Sequence, residues 1–105
     1  MRGDLCVARG PLFGSKARPV LIVQDETVDP YESTVTCLLT SFDSDGLPMR
    51  VRVEPSSTNG LEKTSFVMCE KIMTFRKCDL TDKIGELESI YLDQVDMMLR
   101  SLLRL

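Results

Sequence analysis

Arg18 stands where a small basic loop, Gly14-Ser15-Lys16-Ala17, gives way to Pro19 and the apolar run Val20-Leu21-Ile22-Val23. Pro19 restricts its own φ and biases Arg18 toward extended backbone, which holds the guanidinium stiffly at the mouth of a strand. A planar, bidentate donor in that position suits a phosphate. An ordinary surface arginine ahead of an edge strand fits the same spacing. The chain has no histidine, so the usual general base near neutral pH is missing and any catalysis must use other groups.

The elements that would position Arg18 are short strands. Asp4 to Ala8 reads as the first, ended by Gly10-Pro11, and Val20 to Val23 as a second, buried on both faces. Thr34 to Thr40 forms a third, rich in β-branched residues, and runs into the turn Ser41-Phe42-Asp43-Ser44-Asp45-Gly46. In Met49 to Val53 apolar residues alternate with Arg50 and Arg52, which places the two arginines on the outward face. The serine-, threonine- and asparagine-rich stretch Pro55 to Gly60 reads as a mobile tip, and Leu61 to Thr64 as a single helical turn. Two further strands are expected near Phe66–Cys69 and Met73–Phe75, with a small one over Ile84–Leu87.

From Ser89 the period changes. Leu92, Val95, Leu99 and Leu102 recur at steps of three and four, with Ser89 as N-cap and Arg100 and Arg104 toward the far end. Five or more short strands closed by one C-terminal helix predict a mainly β fold, a small barrel or strongly bent sheet with the helix packed on it. Residues 1–105 are expected to form one domain.

Composition narrows the class. The 105 residues are 43% hydrophobic and 28% charged, as in ordinary globular proteins. No apolar run approaches a membrane span and no signal segment opens the chain, so a cytoplasmic location is the expectation. Cys6, Cys37, Cys69 and Cys78 form no C-x-x-C pair, and the first three lie in apolar runs as core thiols. No metal site is expected.

The net charge of −3 conceals segregation. Residues 1–24 carry four bases against one acid, residues 25–49 six acids and no base, and residues 50–77 six bases against three acids. Such segregation creates a basic surface on an acidic protein, or simply several solvated faces.

Taken in order, Arg2-Gly3-Asp4, Gly14-Ser15, Arg18-Pro19-Val20-Leu21-Ile22-Val23, Leu38-Leu39-Thr40-Ser41, Glu70-x-Ile72 and Val95-Asp96-x-x-Leu99 resemble the MazF/PemK toxins of bacterial toxin–antitoxin pairs, nearly end to end. The resemblance implies an SH3-like barrel, a homodimer and a metal-independent endoribonuclease acting on single-stranded RNA without a cofactor. Attack by a ribose 2′-hydroxyl would leave a 2′,3′-cyclic phosphate and a 5′-hydroxyl. The family's key arginine and threonine fall on Arg18 and Thr40, and its glycine–serine loop on Gly14 and Ser15. In-line attack loads charge onto the non-bridging oxygens, which Arg18 would hold while the Thr40 hydroxyl donates to the same phosphate. A threonine ending a strand through β propensity alone is the plainer account of Thr40.

Arginine is a poor general base, its pKa lying above ~12, so Arg18 is expected to act by electrostatics and as proton donor to the leaving oxygen. Ser15, Lys16 and Ser41 would line the approach, with Arg50, Arg52 and Lys71 as weaker backbone contacts; a solvated face is the plainer account of the last three. The implied partner is an acidic, partly disordered antitoxin whose tail competes for the phosphate site. Here only Lys16-Ala17 separate Ser15 from Arg18, where family members carry a longer loop. The rival readings keep the fold and drop the chemistry: a topoisomerase-directed binding toxin like CcdB, or an inactive homologue.

Overall fold

Among the described residues, β-branched and apolar runs form six strands, and the long stretch of helical period forms one α-helix. The computed structural model describes residues 1–9 and 17–105. The strands are β1 (Asp4–Ala8), β2 (Arg18–Ile22), β3 (Ser33–Thr40), β4 (Arg50–Val53), β5 (Ser65–Arg76) and β6 (Leu80–Glu86), followed by α1 (Ser89–Leu103). A 3₁₀ turn, Lys77–Asp79, joins β5 to β6. All pairings are antiparallel, in the order β4-β5-β3-β2-β1-β6.

The sheet has two unlike faces. On one, Leu5, Leu21, Cys37, Leu39, Val51, Val53, Val67 and Cys69 form the main core. Helix α1 covers this face with Val95, fully buried, and with half-buried Tyr91, Leu92, Met98 and Leu99. Leu102, expected on the apolar stripe, is 38% exposed instead, because the sheet no longer lies beneath the last turn. Glu88, not Ser89, occupies the N-cap position, without a side-chain cap bond. On the other face Ala8, Val20 and Phe75 make a smaller cluster with Leu38, Met73 and Leu80.

Two expectations about β5 and its neighbours are corrected. The two strands expected at Phe66–Cys69 and Met73–Phe75 are one strand, since β3 pairs Cys37 with Ile72 and then Leu38 with Met68. Cys69, Glu70 and Lys71 are therefore extra residues in β5, and this bulge interrupts the apolar pattern without ending the strand. Leu61–Thr64 forms a bend rather than a helical turn.

The barrel is not closed among the described residues, because the edge strands β4 and β6 do not pair. The segment 54–60 fills the gap and is no slack tip. Asn59 is fully buried. Its amide donates to the Glu54 carbonyl (2.9 Å) and to Glu88 (3.1 Å), while its side-chain oxygen accepts from the N–H groups of Ser56 and Leu61 (both 3.0 Å). Glu86 N–H then donates to the Thr58 carbonyl at 2.9 Å. A Cβ on Gly85 would lie 2.3 Å from the Asn59 carbonyl oxygen, and one on Gly60 2.0 Å from that of Ile84. Glycine at both positions is what lets the two backbones touch.

The N-terminus is tied to distant parts of the chain. Arg2 Nε donates to the Val23 carbonyl (3.1 Å) and Nη2 pairs with Asp96 of α1. Cys6, Cys37 and Cys69 are buried as expected, and Cys78 is exposed. Contact with the Cys69 thiol and burial push the Cys37 thiol well above its ordinary range, which suits packing rather than reactivity. Among the described residues no helix is long and apolar enough to cross a membrane.

Candidate active site

The β2–β3 ladder carries Arg18 and Thr40 on adjacent strands, each two residues beyond its last bonded pair. Its pairs are Val20 with Leu38, Leu21 with Cys37 and Ile22 with Thr36. Continued two residues past that last pair, the same register would set Arg18 opposite Thr40. Opposed residues in an antiparallel pair share a face, with Cα atoms about 4.5–5.5 Å apart. That face is the one the helix leaves uncovered, since Leu21, Cys37 and Leu39 point into the main core. Arg18 is exposed and Thr40 half-buried. On its other side Arg18 pairs with the buried Ala8.

Among the described residues Arg18 has no carboxylate partner. Its charge is available to an incoming anion. Thr40 Oγ1 accepts a hydrogen bond from the N–H of Phe42 at 3.1 Å, which leaves the hydroxyl proton to donate outward. Ser41 follows, exposed, at the strand's end. A guanidinium beside an oriented hydroxyl can hold two oxygens of one phosphate.

Arg50 and Arg52 sit in the same rows of the sheet but in a different state. Arg50 Nε donates to both carboxylate oxygens of Glu70 (3.0 and 2.9 Å), and its Nη1 donates to Ser44 Oγ (2.9 Å). The Arg50 guanidinium holds the Glu70 carboxyl below its ordinary value. Arg52 bonds Glu54 and Asp45, each at 2.7 Å. Both arginines are engaged with acids that the sequence did not pair with them. Lys71 lies exposed in the β5 bulge with no such partner among the described residues. Gly14, Ser15 and Lys16 lie outside the described residues.

A groove of about 450 Å³ opens on the same face at the opposite end of β2, around Arg2, Gln24, Asp25, Asp29 and Lys77. Arg18 and Thr40 do not line it. Its acidic rim repels phosphate, so size does not make it the site. Phe42, 73% exposed beside Thr40, was read from the sequence only as part of a turn; an aromatic among serines and aspartates was its signal.

An antiparallel sheet of six strands among the described residues, covered on one face by a single helix, defines a small, mainly β protein. Comparison with known proteins is specific: residues 1–103 match the family described as PemK-like, MazF-like toxins of type II toxin–antitoxin systems, and the chain belongs to that family. It is 36% identical over 100 residues to a probable endoribonuclease MazF of Mycolicibacterium smegmatis, covering 93% of this chain and 91% of that one. It is 33% identical to the endoribonuclease EndoA of Bacillus subtilis, covering 94% and 90%. Among solved structures, an endoribonuclease in complex with its cognate antitoxin from a mycobacterial species superposes with a TM-score of 0.84 at 26% identity, covering 100% of this chain and 95% of that one. The Mycobacterium tuberculosis toxin MazF-mt6 gives 0.80 at 29% identity, with 97% of each chain covered.

Proposed function

We propose that this toxin is an endoribonuclease that cuts single-stranded RNA at the phosphate held between Arg18 and Thr40. The observation that supports the reading is that Arg18, without a carboxylate partner among the described residues, and Thr40, whose hydroxyl accepts from the Phe42 N–H, stand at the same end of adjacent strands on one face. The relatives named as endoribonucleases support the same reaction class.

In this mechanism the ribose 2′-oxygen bonds to the adjacent phosphorus, the bond from phosphorus to the 5′-oxygen breaks, and a 2′,3′-cyclic phosphate and a 5′-hydroxyl result. The 2′-hydroxyl proton leaves to solvent and the 5′-oxygen gains one. Arg18 stabilises the charge on the non-bridging oxygens, where a bidentate cation is worth most, and stands as proton donor to the leaving oxygen. Thr40 donates to the same phosphate. Without histidine the reaction is slow relative to histidine-based ribonucleases.

The chain acts as one toxin domain, in the cytoplasm, as a homodimer. A cognate antitoxin binds and neutralises it; the mycobacterial endoribonuclease that superposes on it is in complex with its own cognate antitoxin. An acidic antitoxin tail fits Arg18 because a carboxylate competes for a phosphate site. Ser15, Lys16 and Lys71 are offered as backbone contacts.

The test is cleavage of a diverse single-stranded RNA pool in EDTA by the native protein and by Arg18→Ala, beside an all-2′-deoxy pool. The native protein should cut RNA and spare the deoxy pool, and Arg18→Ala should lose about 10²–10³-fold in kcat. A native protein that cuts nothing overturns the reading in favour of a binding toxin or an inactive homologue.

A further inference from the structure

Phe42 is 73% exposed, while the other described phenylalanines, Phe66 and Phe75, are buried. Its ring is exposed but its backbone is not slack. The Phe42 N–H donates to Thr40 Oγ1 (3.1 Å) and its carbonyl accepts from Ser44 Oγ (3.0 Å). Ser44 is 1% exposed and accepts in turn from Arg50, which Glu70 holds. Leu47 N–H closes on the Ser44 carbonyl (3.0 Å) and Asp45 N–H on Asp43 Oδ1 (3.0 Å). The loop after β3 is thus braced against the sheet, and it presents an aromatic ring two residues from Thr40.

We propose that Phe42 is the platform on which a nucleobase beside the scissile phosphate stacks, and that Asp43 reads an amino group on that base. This rests on the RNA-cleaving reading above. Single-stranded RNA is recognised through splayed bases stacked on aromatic rings and bonded along their edges. A rigid, solvent-facing ring next to a phosphate site meets the first need. The charge around it meets the second. Asp45 is paired with Arg52, whereas Asp43 is exposed, accepts from the Asp45 N–H and lies within the electrostatic reach of Arg52 without bonding it. A carboxylate repels the phosphate backbone but accepts from an exocyclic amine. The subsite therefore takes cytosine, adenine or guanine in preference to uracil, which has no amino group.

The chain contains no tryptophan, so Phe42→Trp supplies a single reporter at the platform. Native protein, Phe42→Ala, Phe42→Leu, Phe42→Trp and Asp43→Asn are compared on an RNA pool with sequenced ends. Binding of a labelled all-2′-deoxy oligonucleotide is followed by anisotropy. Phe42→Ala and Phe42→Leu should both raise KM roughly 10- to 100-fold, with kcat within about threefold of native. Phe42→Trp should bind, its emission changing at saturation, and Asp43→Asn should lose the discrimination against uracil at one position. Native KM and cut-site preference in Phe42→Ala, or an unchanged indole emission when anisotropy shows saturation, overturns the platform. A native-like Phe42→Leu beside a weakened Phe42→Ala overturns stacking in favour of an apolar contact. Unaltered preference in Asp43→Asn overturns the base-edge assignment. If the native protein cuts no RNA, the nuclease reading fails and takes this subsite with it; if native cuts and Phe42→Ala is unaltered, the subsite alone falls.

Discussion

Arg18, Arg50 and Arg52 are chemically identical, and their neighbours make them different. Arg18 has a threonine at the same end of the adjacent strand; Arg50 has Glu70 and Ser44, and Arg52 has Glu54 and Asp45. The first position was legible because Pro19 and the apolar run behind it mark the start of a strand. The carboxylate partners were not, because Glu70 is brought to Arg50 only by strand pairing across a bulge that local pattern does not reveal. A prediction follows from the direction in which Glu70 is shifted. A carboxyl held below its ordinary value stabilises the fold above the ordinary carboxylate range, and that contribution is lost as pH falls through the lowered value. Arg50→Ala should therefore cost about 0.5–1 kcal/mol at pH 7, the range of a partly exposed pair. The gap from native should narrow as pH falls through that lowered value, leaving what the bond to Ser44 contributes. Urea unfolding at neutral pH and stepwise into strong acid measures it.

Strands and the helix were legible where one face is apolar and the other polar, as in β4 and most of α1. They were misread where a tertiary contact overrides the local pattern. The polar stretch 54–60 looked slack because its serines, threonine and asparagine favour loops. Yet Asn59 meets four backbone and side-chain partners inside the protein, and these turn a polar segment into a structural plug. The contact of that plug with β6 depends on Gly85, where an added methyl would overlap the Asn59 carbonyl. Gly85→Ala should lose roughly 2–3 kcal/mol, seen as a fall in Tm of about 10 °C or more. Val95→Ala tests the other attachment. Emptying the one fully buried helix position should destabilise by about 1–3 kcal/mol in urea unfolding, while leaving the Arg18 face intact.

At the scale of the whole molecule, the segregated charge seen in the sequence resolves into committed and uncommitted cations. With Arg50, Arg52, Arg76, Lys77 and Lys83 all paired to carboxylates, an RNA strand displaces few counterions through cations that are free. The logarithm of the RNA affinity should fall with the logarithm of salt at a slope of only about −1 to −2, given roughly −0.7 for each single-strand contact. A titration with the 2′-deoxy oligonucleotide across 50–300 mM salt, roughly the span over which such slopes are read, measures it. The order of strands in the sheet has a consequence in time as well as in space. β1, β2 and β3 are neighbours in both sequence and sheet, so the strands that carry Arg18 and Thr40 can pair early in a growing chain. β6 must cross to the outer edge of β1, and α1 must cover the main core, both from the last quarter of the sequence. Non-local closure of this kind is the slow part of folding. During synthesis the strands carrying the residues assigned to RNA can thus pair before the structure that stabilises them exists, and the nascent toxin carries an exposed core face until α1 arrives.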